Sequence, residues 1–413
     1  MNHGELSVTM VIEGEAATSQ LVERLLRACQ PLGVRYTKVH FAALTFSHLD
    51  GRAVPLFVRC GDPSLRLWID LLKRAHHPYL YYIDDNFWEL QGDSPLVRYY
   101  RDPDVRHSLE FVVAHANQVL TNSEVLACYL RRFSPRLRVL PAFFDFSLIG
   151  GCVREQTPEL RIGFAGSPSR GDDLELICPI IHPVLDRIPN AVFEFCGVMP
   201  PGVQPTPRIR FFEHTSSYAD FIRFQAQRNW AIGVAPLRDN LANRAKTDNK
   251  YREYGACGIA GVYSDIPPYQ GSVESGITGL LVGPSSEAWL SAVLQFAVQP
   301  GQREEIARRA EKDVRKRYCV EAVAGVWCDA IRATHAELLR HPSHLTRAYL
   351  SGTVLKRLAQ SLGVLCLQIR DAYRIGGVRM VLSKIAQRLS SGWVNALALT
   401  SSPRRRPPST PAP

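Results

Sequence analysis

The chain has 413 residues, of which 46% are hydrophobic and 21% are charged, and its formal net charge is +10. This length and composition are typical of a globular protein with two or three domains. The positive charge is local, because residues 340–413 hold 12 lysines and arginines and one acid, while the rest holds 37 basic and 38 acidic residues. The charge therefore argues against a nucleic-acid-binding surface across the body of the protein.

The sequence also argues against three kinds of protein: one with a signal peptide, one that spans a membrane, and one held together by disulfides or zinc. Residues 1–12 lack the basic and apolar segments of a signal peptide. No stretch reaches the roughly 18 apolar residues that a membrane-spanning helix needs. Ten cysteines are scattered without a C-x-x-C pair, so we expect neither a disulfide framework nor a zinc site. A reducing cytosol fits this cysteine usage.

In the first half of the chain, strand-like and helix-like stretches alternate. The strand candidates are residues 7–14, 34–41, 55–60, 79–84 and 118–123, and the helix candidates are residues 18–29, 64–75 and 105–116. This alternation predicts a parallel sheet covered by helices on both faces. Residues 137–160, which are rich in proline and glycine, are predicted to connect two domains.

The alternation then begins again. Strand candidates are residues 160–166, 191–197, 208–212, 230–237, 259–265 and 279–283, and helix candidates are residues 172–188, 286–298 and 302–318. We therefore predict an α/β protein with two Rossmann-like, doubly wound domains that face a cleft, covering residues 1–145 and 146–335. A basic amphipathic helical extension over 336–400 and a disordered tail over 401–413 complete the predicted organisation.

Two acids end one of the predicted strands of the first half. Asp84 is the last residue of the strand of residues 79–84 and Asp85 follows it, at the carboxyl end where parallel sheets bind ligands. Paired carboxylates there suit acceptor binding or the stabilisation of a cation. The alternative is a helix N-cap, which Asp85 or Asn86 could provide.

Two stretches of the second half suit a phosphorylated ligand. In GFAGSPSRGDD, a strand leads through Gly166 and Ser167 to Arg170 just before a predicted helix, an arrangement that favours an anion. The alternative is a tight turn with a solvated arginine. If residues 245–256 form a helix, Lys246, Lys250 and Glu253 share one face, and the alternative is an ion-paired surface helix.

The order and spacing of several motifs resemble those of the GT-B glycosyltransferases of the retaining group 1 type. The resemblance covers roughly residues 7–335, and its carriers are TNSEVLACYLRRF, VLPAFFDF, RIGFAGSPSRGDDL, WAIGVAPL, KTDNKYREYGACGIAGVYSD and GITGLLV. It implies that a nucleotide-diphosphate sugar binds the C-terminal domain and an acceptor binds the N-terminal domain. The sugar nucleotide is then the substrate, and we expect no cofactor and no metal.

The resemblance also implies roles for particular residues. Glu253 matches the second of two glutamates that the family usually has seven residues apart, the one that contacts the ribose of the donor. The first glutamate, which contacts the sugar, falls at Ala245, and Asp239 or Asn243 is the candidate replacement. Arg170 and one of Lys246 and Lys250 match the diphosphate-binding residues.

The predicted site therefore has two parts. Its catalytic candidates are Asp84, Asp85 and Asp239, and Asp84 and Asp85 stand where the family often has a histidine. Its donor-binding candidates are Gly166, Ser167, Arg170, Asn243, Lys246, Lys250, Glu253 and Tyr254.

The sequence thus predicts a cytoplasmic sugar transferase that acts on a glycan or a lipid-linked acceptor. Residues 351–406 are basic and amphipathic, so they could hold the enzyme on the anionic inner face of the cell membrane, or their apolar stripe could pack on the body. A catalytically silent GT-B-like binding protein is one alternative, supported by Ala245. A sugar-nucleotide epimerase is another, but no acid and base that would face C2 of the sugar are visible.

Overall fold

The computed structural model describes residues 6–341 except 50–52, 214 and 216, together with residue 343 and five positions from 369 to 382. From residue 344 onward, the predicted extension and tail lie outside the described residues apart from those five positions. In the described part, strands and helices alternate through two domains.

The N-terminal domain contains six strands and six helices. The strands are β1 (Leu6–Ile12), β2 (Val34–His40), β3 (Ala53–Val58), β4 (Leu80–Tyr82), β5 (Gln118–Thr121) and β6 (Leu137–Val139). The helices are α1 (Ala17–Ala28), α2 (Phe46–Leu49), α3 (Leu65–Arg74), α4 (Pro95–Arg101), α5 (Pro103–His115) and α6 (Glu124–Leu130).

These strands form one parallel sheet in the order β2-β1-β3-β4-β5-β6. Its inner strands are apolar on both faces because helices cover both, so that β4, for example, is buried throughout. The predicted connection over 137–160 is wrong at its start, where residues 137–139 pair with β5 as an edge strand. A three-residue strand is too short to show an alternating pattern, and the neighbouring Pro141 suggested a loop.

The C-terminal domain repeats this plan. Its strands are β7 (Leu160–Ala165), β8 (Ala191–Cys196), β9 (Ile209–Phe212), β10 (Ile232–Ala235), β11 (Ala260–Ser264) and β12 (Leu280–Val282). Its helices are α7 (Gly171–Leu174), α8 (Ile181–Arg187), α9 (Tyr218–Arg228), α10 (Leu241–Arg244), α11 (Asn249–Ala256), α12 (Pro267–Gln270), α13 (Ser286–Val298) and α14 (Pro300–Tyr318). The sheet is parallel, in the order β12-β11-β10-β7-β8-β9. The predicted pair of doubly wound domains is confirmed.

Two helix predictions of this domain need correction. The helix predicted over 172–188 is broken into α7, a 3-10 turn over 178–180 and α8. Pro179 lies in that turn, and a proline lacks the N–H that a continuous helix would use there. The helix predicted over 245–256 begins only at Asn249, so Lys246 precedes it and does not share a face with Lys250.

Register brings the carboxyl ends of neighbouring strands into one row in each domain. In the first sheet, Ile12 of β1 pairs with Val58 of β3, which pairs with Tyr82 of β4. In the second sheet, Ala165 of β7 pairs with Cys196 of β8. The residues that follow these ends therefore gather at one edge of each sheet, as they do in other parallel α/β folds.

The chain crosses between the domains twice, and the two crossings are bonded to each other. Phe144 donates its N–H to the carbonyl oxygen of Tyr318 at 2.6 Å and accepts from the N–H of Val320 at 3.1 Å. After the second crossing, helix α15 (Val320–Arg340) packs on the N-terminal sheet, where the Trp327 ring lies 5.6 Å from that of Tyr82. The predicted boundary between residues 335 and 336 falls inside this helix.

Candidate active site

The N-terminal side of the cleft carries a compact charged cluster. Because Val58 and Tyr82 are paired, Arg59 lies next to the loop that holds Asp84 and Asp85. The Arg59 guanidinium lies 3.5 Å from Asp84 Oδ1 and 3.2 Å from Asp85 Oδ2. We call Arg59, Asp84 and Asp85 the acidic cluster, since it has two carboxylates for one arginine.

Helix α1 contributes a hydroxyl to the acidic cluster. Thr18 donates to Asp84 Oδ2 at 2.5 Å and accepts from Arg59 Nη1 at 2.7 Å. The other carboxylate oxygen of Asp84, Oδ1, makes no hydrogen bond within the described part of the chain. This oxygen is buried and faces the Arg59 guanidinium, beyond hydrogen-bond geometry but within ion-pair distance.

The two aspartates differ in their proton affinity. Burial raises the pKa of Asp84, and Arg59 and the Thr18 hydroxyl offset only part of that effect. Burial acts on Asp85 as well, but attraction by Lys246 and Arg59 outweighs it and holds the pKa of Asp85 at about 2. Asp85 is therefore ionised at neutral pH, whereas Asp84 binds a proton more readily than an ordinary aspartate.

The C-terminal side of the cleft carries three cations, Arg170, Lys246 and Lys250, and two acids of the same side pair with Arg170 and Lys250. Gly166 directly follows β7, and a side chain there would meet Phe164 at 3.0 Å and the stem of Arg170 at 3.1 Å. Arg170 donates to the Pro236 carbonyl oxygen at 3.3 Å and lies 3.3 Å from Asp173 Oδ2. Electrostatic attraction by Arg170 also helps to lower the pKa of Asp85.

The helix expected after Arg170 gives less support for an anion than the sequence suggested. Helix α7 is a single turn of four residues, and the Gly166 N–H is already bonded to the Cys196 carbonyl oxygen at 3.0 Å. Ser167 Oγ lies 2.8 Å from Ser169 Oγ in an exposed position. Positive charge on this side therefore comes mainly from side chains and little from a helix terminus.

Lys246 connects the two sides of the cleft. Its ammonium group lies 3.1 Å from Asp85 Oδ1, and both side chains are about three quarters buried, at 24% exposure each. Ala245 beside it is buried among apolar residues of the N-terminal domain. A further contact joins the sides where Gln20 accepts from the N–H of Tyr218 at 2.7 Å. Both contacts therefore bridge the two domains directly.

Lys250 and Glu253 form a second buried pair on α11. Lys250 Nζ lies 2.6 Å from Glu253 Oε2 and sits over the Phe221 ring at 5.1 Å. The Tyr218 hydroxyl donates to Glu253 Oε1 over a longer distance of 3.4 Å. Glu253 therefore retains capacity to accept further hydrogen bonds.

Three predicted site residues lie apart from this cluster of charges. Asp239 is half exposed and pairs with Arg244 at 3.3 Å. The Asn243 amide is buried and donates to Asp173 Oδ1 at 2.8 Å, which fixes the loop after β10. Tyr254 is fully buried: its hydroxyl donates to the Val234 carbonyl oxygen at 2.9 Å, and its ring occupies the space that a side chain at Gly233 would need.

The sequence interpretation missed Arg59, Thr18 and Gln20. Arg59 has the same signal that singled out Asp84, a charged residue directly after a buried strand, so it could have been found. Thr18 and Gln20 lie in α1 among residues whose spacing indicated only an amphipathic helix, and no sequence signal distinguishes them. In the described residues, no group of histidine, cysteine, aspartate or glutamate has the arrangement of a metal site.

Comparisons with solved structures reveal the same architecture. Sucrose-phosphate synthase from Thermosynechococcus elongatus is 14% identical, with a TM-score of 0.60, over 80% of this chain and 99% of that chain. Anabaena HepE in complex with UDP-glucose is 12% identical, with a TM-score of 0.57, over 79% and 100% of the two chains.

A third similar structure is an alpha-glucosyltransferase in complex with UDP and a 13-mer DNA containing an HMU base. It is 10% identical, with a TM-score of 0.58, over 80% of this chain and 100% of that chain. No family model matches the sequence, and the search of curated proteins found no match. The chain thus has the two-domain GT-B fold of these glycosyltransferases, as the sequence resemblance predicted.

Proposed function

We propose that the chain transfers a sugar from a nucleotide-diphosphate sugar to a glycan or lipid-linked acceptor, without a metal and with retention of anomeric configuration. Retention rests on the sequence resemblance alone. The donor lies against the C-terminal side of the cleft, and the acceptor approaches along the N-terminal side. The similar structures with bound UDP or UDP-glucose support the choice of donor class.

The single observation that carries this proposal is the opposition of charge across the cleft. Breaking a sugar–diphosphate bond leaves negative charge on the phosphate and positive charge on the sugar ring. Arg170, Lys246 and Lys250 supply cations on the donor side, where they stabilise the leaving diphosphate. Asp84 and Asp85 supply carboxyl groups on the opposite side, where they stabilise the ring charge.

Glu253 and Lys250 act together on the donor. Glu253 accepts hydrogen bonds from the ribose hydroxyls, as the resemblance implies, while the Lys250 ammonium pairs with its buried carboxylate and adds positive charge near the diphosphate. Lys250 is held over Phe221, so little side-chain freedom is lost when the donor binds.

The sugar contact that the family makes at position 245 must come from elsewhere. Asp239 faces Arg244 near the solvent, and the Asn243 amide is committed to Asp173. Asp85 is the better candidate, since Lys246, the neighbour of Ala245, holds its carboxylate in the cleft. We propose that Asp85, from the opposite domain, takes over the sugar contact.

A catalytically silent binding protein is the second candidate, and Ala245 favours it. This side chain is buried against the N-terminal domain and contributes no polar group where the family has a glutamate. Such a protein would bind a sugar nucleotide or nucleoside diphosphate without turning it over.

A screen of nucleotide sugars separates these candidates. Thermal shift identifies the donor, because a ligand of the folded state raises the unfolding temperature. Release of nucleoside diphosphate is then measured for wild type, Lys250→Ala and Glu253→Ala, with the exposed Lys316→Ala as control. Turnover that is lost in the first two variants and retained in Lys316→Ala supports the transferase. Binding without turnover supports the silent protein, and no binding overturns both.

We also propose that the enzyme works in the cytoplasm on the inner face of the cell membrane. Among the described residues, no helix is both long and apolar enough to cross a bilayer. Four described helical positions of the C-terminal segment expose apolar side chains, in a segment that holds the whole excess of positive charge: Ile369, Tyr373, Val378 and Leu382. This combination favours a membrane surface over packing on the body.

Flotation with liposomes tests this localisation. Full-length protein is expected to bind vesicles that contain anionic lipid, and to bind less at high salt. Protein that lacks residues 345–413 keeps every labelled helix and strand and should not bind. Equal binding by the two proteins would contradict the proposal.

A further inference from the structure

Arg59 occupies an unusual backbone conformation at the end of β3. Its φ is +56°, in the left-handed region that residues with side chains rarely adopt. Surrounding groups hold this conformation. The Arg59 N–H donates to the Tyr82 carbonyl oxygen at 2.9 Å, and the Tyr100 hydroxyl donates to the Arg59 carbonyl oxygen at 3.2 Å. Strain that is maintained in this way is found most often at functional sites.

The next residues of the loop are fixed as well. Glu13, which follows β1, accepts from the N–H groups of Gly61 at 2.7 Å and Asp62 at 3.1 Å through Oε2. Its other oxygen accepts from the Tyr99 hydroxyl. The backbone that carries Arg59 is therefore rigid, and its guanidinium group has a defined direction.

That direction places the guanidinium between the two aspartates. One nitrogen faces Asp84 and Thr18, the other faces Asp85, and Cζ lies 4.7 Å from the centre of the Phe87 ring. Asp85 thus receives two cations, Arg59 and Lys246. Asp84 receives the more distant contact to Arg59 and the hydroxyl of Thr18, so the two carboxyl groups stand in unequal surroundings.

We propose that Arg59 is a positioning residue that gives the two aspartates different tasks. It holds Asp85 against Lys246 in the cleft and, together with Thr18, fixes the orientation of the Asp84 carboxyl group. This inference rests on the proposed transfer reaction and assigns a residue that the sequence motifs do not include. Arg59 itself acts through Asp84 and Asp85.

Other charges near Asp84 affect its ionisation, and they come from several elements. The two aspartates repel each other, and the other groups that act on them are Arg59, Thr18, Lys246 and Arg170, together with the phenols of Tyr82 and Tyr100. Burial and the aspartates raise the pKa of Tyr82, and burial also raises the pKa of Tyr100, so both phenols stay neutral. Arg59 is the cation that touches both carboxyl groups, so its removal should raise the pKa of each.

The test compares Arg59→Met and Arg59→Lys with wild type, using Arg131→Met as a control on an exposed arginine. The rate of sugar transfer is measured against pH. In Arg59→Met, we expect the acidic limb of the kcat profile to move to higher pH by at least one unit. KM for the donor should change less than threefold, and Arg59→Lys should restore part of the shift. A loss of kcat that is equal at every pH would overturn the proposal.

A second measurement needs no activity and so separates failure of this inference from failure of the proposed function. Arg59→Met removes the cation that the two buried carboxyl groups share, so ionised Asp84 loses its ion-pair partner while Asp85 keeps only Lys246. Its deficit in unfolding temperature should therefore be larger at pH 7.5 than at pH 5 and should shrink in Arg59→Met/Asp84→Asn. A deficit that is independent of pH and of Asp84 contradicts the inference. If wild type turns over no donor, the proposed function is wrong, but the inference about Arg59 is still tested by these unfolding temperatures.

Discussion

The two sides of the cleft differ in charge and in construction. The N-terminal side presents two carboxyl groups around Arg59, which directly follows β3, and the two aspartates lie in the loop after β4. The C-terminal side presents Arg170, Lys246 and Lys250, which lie on a loop, a short connection and the helix α11. The first side is thus fixed by strand register, whereas the second depends on several short elements. An enzyme that separates charge needs this opposition of acids and bases.

The largest decrease in kcat is expected when a cation of the C-terminal side is removed. Lys250→Ala removes positive charge from the proposed diphosphate site and leaves Glu253, which is only 7% exposed at its side chain, without its ion-pair partner. Loss of one group that stabilises developing charge typically lowers kcat by about 10²–10³-fold. We expect a decrease of this size in nucleoside diphosphate release. If the rate of nucleoside diphosphate release by Lys250→Ala is within threefold of that by Lys316→Ala, Lys250 is not part of the site.

Removing a carboxylate from the acidic side should have a somewhat smaller effect. Asp85→Asn keeps the shape of the side chain but removes the charge that Lys246 and Arg59 share. We expect kcat to fall by about 10²-fold, as for other groups that act on charge in the transition state. Steady-state kinetics with the identified donor measures this. The control Asp329→Asn, which breaks an exposed pair with Arg332, should retain wild-type kinetics.

The pH dependence of stability sharpens the difference between the two aspartates. The pKa of Asp85, about 2, lies below the ordinary value, so its charge stabilises the fold above about pH 4 and this stability is lost as pH falls towards 2. The shift corresponds to about 2 kcal/mol in the free energy of unfolding at neutral pH. The pKa of Asp84 is raised, so protonation relieves a destabilising charge.

Urea unfolding of wild type and Asp85→Asn at pH 6 and pH 3.5 measures this contribution. The free energy difference between the two proteins should be smaller at pH 3.5. A difference that stays constant would mean that the Asp85 carboxylate gains nothing from Lys246 and Arg59.

The smallest effect is expected at Asp239, which the sequence placed in the catalytic set. Its carboxylate is 53% exposed and its partner Arg244 is also largely exposed, and such pairs contribute less than about 1 kcal/mol. Asp239→Asn should therefore change kcat less than twofold and leave the free energy of unfolding nearly unchanged. A tenfold loss of kcat would show that the sequence prediction of its role is right.

The strands of both sheets could be predicted because buried parallel strands form continuous apolar runs. Residues 160–166 and 191–197, for example, match β7 and β8 within one residue at either end. The long helix over 172–188 could not be predicted correctly from apolar spacing, because Pro179 interrupts it. For α11, spacing gave the correct neighbourhood for Lys250 and Glu253 but not the first helical residue, so it misplaced Lys246.

Site residues could be predicted where a charged residue follows a strand. They could not be predicted where tertiary packing decides the direction of a side chain. Asp84 and Asp85 lie at the carboxyl edge of the sheet, as their position after a strand indicated. Tyr254 lies in the same helix as Glu253, but it points into the core because Gly233 leaves room for its ring. The contact between Asp85 and Lys246 joins residues 161 positions apart, and no local pattern contains it.

Turnover of a nucleotide sugar by wild type and by Asp85→Asn is the most direct test of the opposition of charge across the cleft. The donor identified by thermal shift is incubated with each protein, and the released nucleoside diphosphate is measured at neutral pH. The account predicts turnover by wild type, about 10²-fold less by Asp85→Asn, and donor binding by both. Binding of a donor by wild type without any turnover, or equal turnover by the two proteins, would contradict it.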